Sequence, residues 1–203
     1  MERPEYVVQA EVARLIPVVA DTNREQRAAS IFLAALRGVY EFRQVMFASL
    51  GHRVSARARM GAWTEVALEC DLDIPKKDRP DGLVQLVTGS KQWAALIEAK
   101  IGSNEVGEEQ LKRYLLQAKK NKIDAVITIT NQFVALPNHH PVKIPKTLLK
   151  GVELYHWSWM YAVTQATLLL DSGDITSPDQ RFILEEVLRY FSHDSSGATR
   201  FDS

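Results

Sequence analysis

Apolar residues recur every three or four positions at Ala28, Phe32, Ala35, Val39, Phe42, Met46 and Leu50. That period predicts one long amphipathic helix over about residues 22–50. Asp21, Thr22 and Asn23 are all good N-cap residues, and Thr22-x-x-Glu25 fits a capping box. Gly51 suits the C-cap, and Gly38 is a local weak point. Ahead of this helix the pattern predicts a short one over residues 5–16, stopped by Pro17.

The period then changes. Val, Leu, Trp and Thr crowd residues 63–70, which predicts a strand, and a polar loop follows over 71–77. Residues 81–88 and 92–100 predict two strands of a hairpin turning at Gly89-Ser90. Leu111, Tyr114, Leu115 and Ala118 form one stripe of a helix over 105–120. The β-branched apolar run 124–130 predicts a buried, central strand. Strand, helix, strand in that order implies a right-handed crossover between parallel strands.

After a loop with Pro137, Pro141 and Pro145 come a short strand at 152–157 and a helix at 158–171. Ser177-Pro178-Asp179-Gln180 starts a last helix, which runs to about residue 191. The fold class expected is α/β, a mixed central sheet flanked by helices. Its expected divisions are an N-terminal arm (1–20), a core (21–157), C-terminal helices packed on the core (158–192) and a flexible tail (193–203). The tail shows no structural stop, which is compatible with this chain leading a longer product.

Composition narrows the class. Of 203 residues, 46% are hydrophobic and 25% charged, which excludes widespread disorder and suits one domain. Lys plus Arg is 25 and Asp plus Glu is 25, so a histone-like polycation is excluded but a local basic patch is not. A lone cysteine, Cys70, rules out a disulfide framework within the chain and reads as a small core residue. No apolar run is long enough to span a bilayer. Residues 1–20 carry Glu2, Arg3, Glu5, Glu11 and Arg14, unlike a signal peptide. The expectation is a cytoplasmic protein with no membrane partner.

The chemistry lies in Arg79-Pro80-Asp81-Gly82 and Glu98-Ala99-Lys100. Side chains alternate along a strand, so Glu98 and Lys100 point the same way, after the apolar run Trp93-Ala94-Ala95-Leu96-Ile97. Two charges at the end of a buried strand are costly unless paired or bound to a metal. Asp81 begins the neighbouring strand, within reach of a shared ion. Each feature also has a plainer reading. Pro-Asp-Gly is a good turn, Glu98 and Lys100 suit an exposed pair, and Glu25 belongs to a capping box. Glu65 suits a solvated strand face, and Tyr114 the helix core. His139-His140 reads as surface, and Trp93, Trp157 and Trp159 as core or interface. His52 and His156 receive no role.

Pro80-Asp81 followed by Glu98-x-Lys100, across a helix-β-β-β-helix-β order, resembles the PD-(D/E)XK nuclease superfamily and its restriction-endonuclease-like fold. The resemblance covers about residues 22–135. Gln110 and Tyr114 add a Gln-x-x-x-Tyr motif similar to that of the exonuclease-type branch. The resemblance implies Asp81 and Glu98 as metal-binding acids, Lys100 beside the attacked phosphate and Gln110 ordering the site. Glu25 matches a further acid by position, and Glu65 is a less favoured one. Mg²⁺ suits Asp81, Glu98 and the backbone carbonyl of Ala99, with Mn²⁺ as a substitute. The function implied is metal-dependent hydrolysis of phosphodiester bonds, in DNA before RNA. Arg53, Arg57, Arg59, Lys112 and Arg113 are the candidates for holding the nucleic-acid backbone. The alternative is an inactive module of the same fold that binds nucleic acid or a protein partner. A homodimer is left open.

Overall fold

The computed structural model describes residues 1–20, 22–69 and 79–198. Asp21, Cys70, the loop expected at 71–77 and residues 199–203 of the expected tail lie outside them. One sheet of six strands follows chain order: β1 (Val7–Val12), β2 (Arg59–Leu68), β3 (Gly82–Thr88), β4 (Lys91–Ala99), β5 (Ala125–Thr130) and β6 (Glu153–Ser158). The first four strands pair antiparallel. β4, β5 and β6 pair in parallel, so the sheet is mixed. The β3–β4 hairpin turns through Gly89 and Ser90 with Thr88 opposite Lys91, and Gly89 takes φ +60°, as a II′ turn requires.

Helices α1 (Arg24–Gly38), α2 (Tyr40–Ala48), α4 (Trp159–Ser172) and α5 (Pro178–Ser192) share a core with one face of the sheet. α3 (Glu108–Lys120) packs on the other face, joined by Val142, Ile144, Leu148 and Leu149. The alternation of β4 divides the two cores. Ala95, Ile97 and Ala99 face the first, while Ala94 and Leu96 face α3. α1 is buried at every residue from Ala28 to Leu36, as befits a helix enclosed on all sides.

Three expectations need correction. Residues 5–16 do not form a helix. Val7–Val12 is an edge strand on β2, with two register shifts, and buries Val7 against Trp63 and Leu68. Ladder hydrogen bonds and a β-branched residue outweigh weak helical periodicity there. The long helix is two, because Val39 is extended (φ −111°, ψ 110°) and wholly buried. Gly38 gives the chain a cheap exit at that point.

Nor do residues 193–198 trail loosely. They form a single 3₁₀ turn that buries Ser196 and Ala198. The Gly197 carbonyl accepts from Gly102 N–H (2.9 Å) and Asn131 Nδ2 (2.9 Å). The Arg24 guanidinium donates to the Ser195 carbonyl. This segment clasps α1, the end of β4 and the end of β5 together.

Candidate active site

Gly82 pairs with Ile97, so one further step of the register sets Asp81 opposite Glu98. A Cβ at Gly82 would lie 2.5 Å from Leu33 Cδ1 and 3.0 Å from the Trp63 carbonyl. Glycine there lets α1 lie close on β3, which carries Glu25 toward Asp81. Asp81 Oδ2 accepts the Ala99 N–H at 2.8 Å. Glu98 is 2% exposed, and its Oε1 accepts from Lys100 Nζ (2.7 Å) and Gln110 Nε2 (2.9 Å). Its Oε2 is buried and has no hydrogen-bond partner among the described residues.

Lys100 Nζ also reaches Glu25 Oε2 at 3.3 Å, and Asn104 Nδ2 donates to Glu25 Oε1 at 2.9 Å. The N-cap of α1 is Asn23, without a side-chain cap. Glu25 thus serves the ion pair rather than the expected capping box with Thr22. Gln110 also donates to the Tyr114 hydroxyl (2.9 Å), which donates to the Arg79 carbonyl (3.1 Å). The Gln-x-x-x-Tyr spacing therefore ties α3 both to Glu98 and to the chain just before Asp81. Tyr114 is fully buried, as its place in the stripe predicted.

Glu65 lines the same cleft of about 520 Å³ as Glu25, Arg79, Asp81, Glu98 and Lys100. It is no ordinary strand residue, since φ is +54° where β2 stops pairing with β3. Left-handed backbone is costly for a non-glycine residue. Its carboxylate accepts from Gln26 Nε2. Sequence reasoning missed Gln26 and Asn104, which lie in no motif.

The basic candidates are not gathered here. Arg53, Arg57 and Arg59 are exposed, and Arg59 pairs with Val87 at the far end of β3. Lys112 is tied to Glu108 (2.7 Å) and Glu109 (2.8 Å) on its own helix. Arg113 lies over the Tyr114 ring, 5.9 Å from its centroid.

Burial, then the charge of Glu98, pushes the Asp81 carboxyl up to about 8 against the pull of Lys100. Burial also raises Glu98. Burial alone would lower Lys100, but Glu98 and Asp81 outweigh it and hold the ammonium above its ordinary value. Two adjacent carboxyls cannot both ionise cheaply. Glu98 has two donors on Oε1, so the charge settles there and the proton on Asp81. From about pH 4 to about 8 the folded protein keeps a proton that the unfolded chain has released, so stability falls as pH rises through that window. Asp81→Asn is expected to flatten this fall when the urea midpoint is followed from about pH 5 to about 8. An unchanged slope would clear Asp81 as its source.

A second polar group lies across β5 from Glu98. Thr128 pairs with Glu98 on one side and His156 on the other. The Val142 N–H donates to His140 Nδ1 (3.0 Å), which fixes the His140 proton on Nε2. His140 Nε2 therefore donates to Thr128 Oγ1 (2.8 Å), Thr128 donates to His156 Nδ1 (2.7 Å), and His156 Nε2 donates to the Gln132 carbonyl (2.9 Å). Burial, then the other imidazole, lowers His140 to about 4, and burial lowers His156. Their contribution to stability is present above about pH 6.5 and is lost as pH falls toward 4, opposite in sign to that of Asp81. His139 is exposed, but His140 is a fixed strut, not the free surface residue expected.

The donor set at Asp81 and Glu98 suits a hard cation in one respect. Two carboxyl groups converge, one Glu98 oxygen is buried without a partner among the described residues, and Mg²⁺ takes few protein oxygens. The Ala99 carbonyl, on a wholly buried residue between Glu98 and Lys100, is a candidate third oxygen. Among the described residues no three His, Cys, Asp or Glu side chains form a ready metal cluster. Among them also, no helix is long and apolar enough to cross a membrane. Compared with protein-family models the chain matches none, and no curated protein matches it.

Proposed function

We propose that this chain is a metal-dependent nuclease of the PD-(D/E)XK type, built on a restriction-endonuclease-like core and acting on DNA. The observation that carries the reading is the gathering of Asp81, Lys100 and Gln110 around Glu98, whose Oε1 takes both donors and whose buried Oε2 has no partner among the described residues. In this reading Asp81, Glu98 and the Ala99 carbonyl would hold Mg²⁺, with Glu25 or Glu65, which line the same cleft, as a further acid. The ion, when bound, supplies a Lewis acid and a water of lowered pKa. Asp81 gives up its proton when a cation arrives. Lys100, held charged by its acids, acts by stabilising negative charge on the phosphate rather than as a base. Gln110 fixes the Glu98 carboxylate, and Tyr114 fixes Gln110.

A second reading, a module that binds without cleaving, draws on the absence of a three-acid cluster among the described residues. Linear and supercoiled DNA incubated with the protein and Mg²⁺ or Mn²⁺ separates the two. Cleavage that EDTA stops and Asp81→Ala removes is the expected result. No cleavage with either metal, together with no calorimetric metal uptake, would leave the binding module.

A further inference from the structure

Between Glu41 and Glu65 the chain carries Arg43, Arg53, Arg57 and Arg59 and no acid, although the whole chain balances 25 against 25. Arg43 is buried in the core. The other three are exposed, as is Lys91. Arg59 pairs with Val87, and Lys91 with Thr88 one step nearer the hairpin tip, so both mark the same end of the sheet. The segment with Arg53 and Arg57 runs directly into β2 at Arg59. Among the described residues none of these four cations makes an ion pair or side-chain hydrogen bond. Lys100 and Lys112, by contrast, are neutralised by carboxylates. Beside Arg53, the part-exposed His52 ring stands 4.7 Å from that of Trp93, two residues along β4 from Lys91.

The cleft sits at the other end of the same strands. Five residues of β2 separate Arg59 from Thr64, the partner of Gly82, which at about 3.4 Å per residue is about 17 Å. No single phosphate touches both places. In a duplex the phosphates of one strand rise about 3.4 Å each along the helix axis, so roughly five base pairs span the distance.

We infer that Arg53, Arg57, Arg59 and Lys91 form an exosite for the phosphate backbone of a nucleic acid, separate from the cleft. This rests on the nuclease reading for the choice of polyanion, and on the unneutralised charge for the site itself. The exosite holds long substrates and leaves short ones to the cleft alone. Its guanidinium and ammonium groups take phosphate oxygens, contacts that position a strand without carrying sequence information.

The test uses Arg53→Ala/Arg57→Ala/Arg59→Ala, three surface changes. Anisotropy of a labelled 30-nucleotide DNA is followed in EDTA across a salt series. The expected result is at least a tenfold loss of affinity at low salt, and a salt dependence shallower by about three charges. Cleavage with metal should show the wild-type advantage of a 30-mer over a dinucleotide, which cannot reach both places, disappearing. Wild-type affinity and salt slope in the variant would overturn the exosite, as would poly-glutamate displacing DNA at equal charge, which would mark an acidic protein as the partner. Patch-dependent binding with no cleavage leaves the exosite standing and sinks the nuclease reading. Cleavage with patch-independent binding does the reverse.

Discussion

Glu98→Gln should lower the rate of DNA cleavage by about 10³-fold or more while the protein stays folded. Glu98 is the hub of the cleft, where one oxygen receives Lys100 and Gln110 and the other has no partner among the described residues. The amide keeps the shape but removes the charge that pairs with Lys100 and would hold a cation. Loss of one preorganised electrostatic contact in a buried site typically costs about 10²–10³ in rate, and here two are lost together. The same variant should lose calorimetric uptake of Mn²⁺. Lys100→Met should cost about 10²–10³ in rate yet keep that uptake, since a cation is repelled less once the ammonium is gone. If both variants cleave DNA at wild-type rates, Glu98 and Lys100 are a structural ion pair and the site lies elsewhere.

Trp159→Ala should be the most damaging single change to the fold, at about 3–5 kcal/mol. Its ring is wholly buried, stacks on Phe191 (5.0 Å) and meets Phe32 edge-on (5.5 Å). Its indole N–H donates to the Lys100 carbonyl at 2.8 Å, so the same side chain ties α4 and α5 to the end of β4. Truncation leaves both a cavity and an unpaired carbonyl next to the proposed catalytic lysine. Against a total stability of roughly 5–15 kcal/mol, the urea midpoint should fall by about a fifth or more. Trp159→Phe separates the two effects, because it fills most of the cavity and loses only the hydrogen bond. It should cost about 1–3 kcal/mol. A midpoint unmoved by Trp159→Ala would show that this contact bears little of the fold's stability.

Where local pattern and tertiary environment agree, the sequence was readable. Residues 125–130 are apolar and β-branched because β5 is covered on both faces, and the Gly89 turn declares its hairpin. Ser177 caps α5 by accepting from Gln180 N–H, as its motif announced. The acids were legible for a related reason. Charge placed after Leu96 and Ile97 needs a partner, and strand alternation says which residues can supply it.

The failures lie where a distant element decides. Val7–Val12 becomes a strand because the edge of β2 accepts it, and nothing within those six residues says so. Asn104 and Gln26 hold Glu25 and Glu65 through contacts across 79 and 39 residues. The arginines near residue 55 were readable as a cluster, but their distance from the cleft was not. That depended on which end of β2 pairs with Gly82.

The clasp formed by residues 193–198 also bears on when the site comes into being. Arg24, beside the cleft residue Glu25, meets Ser195 across 171 residues, so this contact cannot form until that whole stretch has left the ribosome. Contacts of such long range close late in folding, after local hairpins and helices. The β3–β4 hairpin can bring Asp81 to Glu98 early, and Lys100 and Asn104 can then take hold of Glu25, but the start of α1 gains its further tie to the ends of β4 and β5 only when Arg24 holds Ser195 and Gly197 reaches Gly102 and Asn131. A chain interrupted before residue 193 would carry every proposed catalytic side chain and still lack one of the ties that hold α1 against the ends of β4 and β5.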